Sequence, residues 1–459
     1  MRLGCVVALS LAVLGSPRAG AEEFALRYES RASDFSFLGS SSVELFATQV
    51  PPAGDWVLPP FSSKSPLFLL APLGDRAVLL VLDRIDSLGV KSKGRGFTRV
   101  YCDSNGNRDL TDDPIVESRE RSSAVWVGSL FSDEEIGGGF SAELTVTIEV
   151  DGHRTPYSFC IWQWPELESR QPEDGAAENS EAPGVTVQML TLCHYAGEVT
   201  LPGPRGRTTY HVALYDRNLN GRFDDRGRCL QEGSSGRERR GSASGDSLLF
   251  APRETRSRTS RDTVLFCDLL AVEDRAYRVS FDHGTAKLRL DPVTEPCGTI
   301  ELSSYVEQIS LTTVDDAHYV VGLFTRGALP LPAGSYQVES YHVFKRDPQG
   351  DLWYLAARGA SKGTVFTVKD GECTRLEFGE PYSAEVVVSK NPRPGLFGSS
   401  KVSLGFRVRG IAGETVSDLR HVSGTRTAIP LESARPAPPS YTITKTTGEV
   451  VGAGSFSYG

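Results

Sequence analysis

Long apolar runs are scarce in this 459-residue chain. Beyond the N-terminus none approaches the ~18–20 apolar residues that a membrane-spanning helix requires, so the chain is expected not to span a membrane. A basic excess is also missing: Lys and Arg total 49 against 58 Asp and Glu, a net charge of −9. Phosphate recognition needs a basic face, which argues against nucleic acid as a partner. No C-x-x-C pair occurs, so neither a zinc knuckle nor a thioredoxin-like site is indicated. The 7 histidines fall singly, without HExxH or H-x-H, and there is no G-x-S-x-G, phosphate loop or dinucleotide fingerprint. Helical periodicity is not sustained over any comparable stretch. With 46 Gly and 27 Pro, turns should be frequent and long helices rare.

What is present begins with an N-terminus that reads as an export signal. Arg2 precedes an apolar segment from Leu3 to Leu14, and Ala19-Gly20-Ala21 fits a small-residue cleavage site. Residues 1–21 are therefore expected to be a signal peptide, with the mature protein periplasmic, cell-surface or extracellular. Cys102, Cys160, Cys193, Cys229, Cys267, Cys297 and Cys373 would remain. Export permits disulfides, but several of these are expected to be small buried hydrophobes.

Strand signals dominate. Ala142, Leu144, Val146, Ile148 and Val150 alternate with Glu143, Thr145, Thr147 and Glu149, the period of a half-buried strand. Val402, Leu404, Phe406 and Val408 repeat the pattern. Asp347-Pro348-Gln349-Gly350 predicts a turn between strands at Tyr336–Phe344 and Asp351–Ala357. The expected fold is all-β: tandem antiparallel β-sandwich-like domains with little helix. Expected boundaries are a β-domain over 22–164, an acidic linker or disordered loop over 165–184, a second β-domain over 185–293, and sandwiches over 294–378 and 379–459. A Ser/Gly/Arg-rich insertion is expected over 231–262.

A weak repeat links the first two domains. Strands at Ala77–Leu82 and Gly96–Tyr101 lead into one acidic loop, and Val185–Cys193 and Thr208–Tyr215 lead into another. Aligning Asp103 with Asp216 matches oxygen donors at loop positions 1, 3 and 5, an apolar residue at position 8 and Asp at position 10. The candidate metal ligands are Asp103, Asn105, Asn107, Asp109 and Asp112 in the first loop. Those in the second are Asp216, Asn218, Asn220, Arg222 and Asp225. Position 7 (Asp109, Arg222) would contribute its backbone carbonyl, and Leu110 or Phe223 would anchor the loop in the core. Calcium needs six to eight oxygens about one point, which alternate acidic and amide side chains on a tight turn can supply. Asp, Asn and Gly also favour turns without any metal. Asp112 and Asp225 are the candidates for a bidentate carboxylate, with Asp113 and Asp224 as substitutes.

Over about ten residues each, these loops resemble the first half of an EF-hand or dockerin-type calcium loop. They depart from it at position 12, where Pro114 and Gly227 replace the Glu, and Arg108 replaces Gly at position 6 of the first loop. Leu331-Pro-Ala-Gly334-Ser-Tyr336 resembles the start of a strand in carboxypeptidase-regulatory or transthyretin-like sandwiches. The whole chain resembles exported β-sandwich proteins of bacterial envelopes that carry D-x-N-x-N loops. That resemblance implies no known activity; the paired loops point to structural calcium, and the chain is expected to be non-catalytic. The expected partner is an envelope or extracellular ligand, a polysaccharide or a protein.

Two alternatives belong to other classes. Trp162 and Trp164 would share one strand face and could form a sugar-stacking platform in a carbohydrate-binding or adhesive module; core packing competes with that reading. Gly245-Asp246-Ser247-Leu248 and Asp418-Leu-Arg-His421 match the nucleophile and terminal blocks of GDSL-type serine esterases. Their setting in β-type sequence, without the family's Gly-x-Asn-Asp block, argues against that chemistry.

Overall fold

A computed structural model describes residues 21–30, 43–83, 97–117, 140–163, 185–204, 206–227, 245–253, 263–303, 305–323, 328–359, 365–390, 402–422 and 436–456. The expected export signal, the acidic segment at 165–184, most of the 231–262 insertion, Cys229 and the side chains of Trp162 and Trp164 lie outside these residues. The described residues form β-strands and connections with no helix, so the fold is all-β. No helix among them is long and apolar enough to cross a membrane.

The alternation read from the sequence sets the burial. In the strand Phe140–Val150, Ala142, Leu144, Val146, Ile148 and Val150 are buried, while Glu143 and Thr145 are exposed. Its partner, His153–Gln163, contributes buried Tyr157, Phe159 and Ile161 to the same core. The predicted turn also forms: the Asp347 and Asp351 backbones bond across it, and Gly350 adopts φ 91°, joining Gly334–Arg346 to Leu352–Arg358.

Strand pairing crosses the expected domain boundaries. Val43–Ala47 pairs with Val185–Thr191, which pairs with His153–Gln163, so one sheet spans the 164/185 division. Arg27–Ser30 pairs with Cys193–Gly203. The largest sheet holds 12 strands, running from Glu22–Ala25 and Lys287–Pro292 at one edge to Val402–Arg409 and Ser383–Lys390 at the other. It thereby crosses 293/294 and 378/379 as well. A single buried cluster extends from Leu26 to Leu323, and a second from Leu269 to Val368. The segments share these two cores because strands distant in sequence contribute apolar faces to each.

Among the described residues two strand pairs are parallel: Leu269–Val272 with Tyr319–Leu323, and Cys297–Glu301 with Cys373–Arg375. Cys102, Cys193 and Cys267 are buried thiols, as expected for small hydrophobes, and burial pushes the Cys193 and Cys267 thiols up to about 11 and about 12.

Candidate metal centres in two related loops

Each loop leaves a strand that is paired antiparallel with its predecessor. Arg99–Cys102 pairs with Arg76–Asp83 and runs into Asp103. Gly206–Tyr215 pairs with Cys193–Gly203 and runs into Asp216. The strand equivalent to Ala77–Leu82 in the second copy is thus Cys193–Gly203; Val185–Thr191, the sequence-based expectation, belongs to a different sheet. Those rigid bases hold Asp103 and Asp216 buried, at 3% and 0% exposure.

From there the two backbones follow one course. Position 4 is left-handed in both, at Gly106 (φ 75°) and Leu219 (φ 55°), and so is position 6, at Arg108 (φ 66°) and Gly221 (φ 86°). This curls the N–H groups of positions 4 to 6 around the first carboxylate. Asp103 accepts from the backbones of Gly106 and Asn107 at 2.9 and 3.1 Å and of Arg108 at 3.3 Å. Asp216 accepts from Asn220 and Gly221 at 3.3 and 2.6 Å. A left-handed non-glycine residue costs roughly 1–2 kcal/mol, and each loop offsets it by a contact. The Arg108 guanidinium lies over Trp56 at 5.7 Å, and Leu219 is buried in the main core.

Close packing excludes a side chain at the glycine of the second loop and not at that of the first. A Cβ on Gly221 would come within 2.6 Å of Ile148 Cδ1 and 2.7 Å of the Gly74 nitrogen, whereas one on Gly106 would meet open space.

Side chains at positions 3, 5 and 10 converge in both copies. Asn107 Nδ2 donates to Asp112 Oδ2 at 2.8 Å, and Asn105 Nδ2 lies 3.5 Å from both Asp112 oxygens. In the second loop Asn218 Nδ2 donates to Asp225 Oδ2 at 2.9 Å, and Asn220 Nδ2 donates to the same oxygen. The position 5 amide oxygen accepts from the position 7 N–H in each, at 2.7 Å (Asp109) and 2.8 Å (Arg222). Apolar position 8 is an anchor as expected: Leu110 and Phe223 are each 1% exposed. Burying such a side chain contributes about 1.5–3 kcal/mol. Leu110 packs with Phe68, Leu79, Val81 and Tyr101, while Phe223 meets the Tyr195 ring edge-on at 5.0 Å.

The remaining acids turn elsewhere. Asp109 accepts from Thr111 N at 2.8 Å and from its hydroxyl, which lowers its pKa. Asp113 accepts from Ser104 N, and Asp224 meets His283 Nε2 at 3.0 Å. Asp113 and Asp224 are thus engaged away from the point where Asp112 and Asp225 meet the asparagine amides. The Arg222 side chain points out of its loop to Asp75 and Asp151.

Sequence reasoning missed Asp246 as part of this site. Fully buried, it accepts the Arg217 N–H at 3.0 Å and the Asp225 N–H at 2.8 Å. The position 2 amide thus has a carboxylate partner in both loops, supplied internally by Asp113 in the first and, in the second, by Asp246, just before the strand Ser247–Pro252. Burial raises the Asp246 pKa well above the carboxylate range, and the Asp216 charge raises it further. Burial also pushes Asp216 up to about 7, against the opposing hydrogen bonds from Tyr157 Oη at 2.7 Å and from the loop amides. The Gly-Asp preceding Ser247 is accordingly a loop support. His421 pairs with Asp351 at 3.4 Å, and Asp418 with Arg420 at 2.8 Å.

Among the described residues no group of three or more His, Cys, Asp and Glu is arranged to hold a metal ion. The convergent sets here combine one or two carboxylates with two amides, so Asn must count among the donors for either loop to qualify.

No known protein family matches the chain, and no curated protein matches it. Among solved structures it is similar to a leucine-rich repeat protein from Bacteroides thetaiotaomicron, with 14% identity and a TM-score of 0.16. That similarity covers 51% of this chain and spans about a quarter (24%) of the other.

Proposed function

We propose that this chain is an exported, non-catalytic β protein of the cell envelope or extracellular space, in which each acidic loop binds calcium and fixes the connection between strands. The supporting observation is the repeated convergence of Asn105, Asn107 and Asp112, and of Asn218, Asn220 and Asp225, on one point beside a buried first-position aspartate. Amide orientation is assigned from hydrogen bonding. An asparagine turned over at this point presents Oδ1 where it now presents Nδ2, at the cost, for Asn105, Asn107 and Asn220, of the bond that its Oδ1 accepts from the Asn107, Asp109 or Arg222 N–H. It then offers calcium a neutral oxygen beside the carboxylate, as hard-cation sites require. Asp103 and Asp216 would complete each set with carboxylate oxygen, and the Asp109 and Arg222 carbonyls would follow at position 7.

Calcium here acts on stability, because anything that binds the folded chain in preference to the unfolded one stabilises it by mass action. At a calcium concentration ~100-fold above Kd, one site adds about 2.7 kcal/mol. Scanning calorimetry of the full chain tests the reading. Calcium should raise the melting temperature and EDTA lower it. Asp112→Asn with Asp225→Asn should abolish most of the difference while leaving the backbone-holding carboxylates of Asp103 and Asp216 intact. A calcium shift undiminished in that double variant would falsify the assignment.

A further inference from the structure

Asn-Gly occurs at two places in the chain, Asn105-Gly106 and Asn220-Gly221, one in each acidic loop. In this dipeptide the backbone nitrogen of the glycine can attack the side-chain amide carbon of the asparagine and close a five-membered ring. Glycine has no Cβ to shield that nitrogen. Such an intramolecular attack needs the two atoms brought to about 3–3.5 Å. The firmness with which each dipeptide is held therefore decides its reactivity, and the loops differ in this respect.

The second dipeptide is clamped. Asn220 Nδ2 donates to Asp225, its Oδ1 accepts the Arg222 N–H at 2.8 Å, and its backbone carbonyl accepts the Gly74 N–H at 2.5 Å. Gly221 is buried against Ile148 and Gly74, and its N–H donates to the fully buried Asp216 at 2.6 Å. Turning the Asn220 side chain toward that nitrogen breaks both amide bonds in a packed setting. Asn105 and Gly106, in contrast, are both exposed, and the space about Gly106 is open. Asn105 Nδ2 lies 3.5 Å from the Asp112 oxygens, beyond the usual hydrogen-bond range. Its Oδ1 accepts the Asn107 N–H at 2.9 Å, and its carbonyl meets Arg154 at 3.2 Å, both in exposed positions where water can replace the partner at small net cost. The Gly106 N–H must also leave Asp103, at 2.9 Å, a looser hold than that of Asp216 on Gly221.

From this contrast we propose that Asn105 is a site of spontaneous deamidation, and that the fold protects Asn220. The Gly106 nitrogen gives its proton to hydroxide and bonds to Asn105 Cγ. The Cγ–Nδ2 bond then breaks, and Nδ2 takes up a proton from water and leaves as ammonia. Water opens the resulting cyclic imide at either carbonyl, which leaves aspartate or isoaspartate in place of Asn105. The net change consumes one water and releases one ammonia, with no oxidation or reduction. Either product sets a second negative charge beside Asp112. The isoaspartate also adds a methylene to the backbone ahead of Gly106, which shifts the Gly106 and Asn107 N–H groups that Asp103 now holds. Calcium takes no part in this step.

The test is peptide mapping by mass spectrometry of the full chain held in mildly alkaline buffer with EDTA, sampled over time. The same peptides are labelled with an isoaspartyl methyltransferase, and a parallel sample in denaturant reports both dipeptides free of the fold. In the folded chain the peptide holding Asn105 should gain the mass of amide-to-acid conversion, and the methyl label, several-fold faster than the peptide holding Asn220. Denaturant should bring Asn220 up toward the rate of Asn105. Gly106→Ala should slow conversion at Asn105, because a Cβ then shields the attacking nitrogen. Equal rates at the two sites in the folded chain would overturn the proposal. So would an Asn105 that stays intact while the denatured chain converts, or one whose rate Gly106→Ala leaves unchanged.

Discussion

Asp225 and Asp246 are tied to each other twice: the Asp246 carboxylate accepts the Asp225 N–H at 2.8 Å, and the Asp225 carbonyl accepts the Asp246 N–H at 2.8 Å. Asp246 also holds the Arg217 N–H. One buried acid therefore grips the second loop near both of its ends and binds it to the strand Ser247–Pro252. Replacing Asp246 with Ala leaves the Arg217 and Asp225 N–H groups without that acceptor. A buried polar group left unsatisfied costs about 1–3 kcal/mol, so chemical denaturation should report a loss of roughly 2–4 kcal/mol. Ser247→Ala, at the neighbouring position, should change stability little and alter no esterase activity.

The loops should respond differently to a methyl group at their glycines. Gly106→Ala meets only left-handed strain, at a cost of roughly 1–2 kcal/mol. Gly221→Ala meets the same strain and in addition the Ile148 side chain and the Gly74 backbone. Its loss in denaturant unfolding should exceed that of Gly106→Ala, and equal losses would contradict the close packing of the second loop on that turn.

Proton binding gives a signed prediction. The folded-state pKa of Asp216 is raised by burial to about 7, above an unfolded value near the ordinary ~3.9. The folded chain then binds more protons than the unfolded chain between these values. The stability contribution is full below the unfolded pKa and is lost as pH rises through about 7. Asp246, also raised, acts in the same direction. Calcium requires the ionised carboxylate, so the calcium-induced rise in melting temperature should be larger at pH 8 than at pH 5. Scanning calorimetry at both values, with and without EDTA, measures the difference.

Much of the fold was legible because burial follows local pattern. The alternation at Ala142–Val150 and the turn at Asp347–Gly350 are each contained in a few consecutive residues, and both formed as read. The loops were legible for the same reason: donors at alternate positions and an apolar anchor at position 8 lie within ten residues. What escaped was long-range. Asp246 supports the second loop from 21 residues beyond Asp225, and its local Gly-Asp-Ser-Leu context resembled a nucleophile motif. The engagement of Asp224 by His283, 59 residues away, was equally out of reach of local pattern. Strand partners such as Val43–Ala47 with Val185–Thr191 depend on matching faces across the chain, and periodicity carries no information about which faces meet.

Isothermal titration of the full chain with calcium chloride, after removal of bound metal by EDTA and dialysis, tests the central claim most directly. The account predicts saturable binding of one calcium per loop, reduced to a single ion by either Asp112→Asn or Asp225→Asn and lost when both are changed. Absence of binding at millimolar calcium, or binding indifferent to both substitutions, would contradict it.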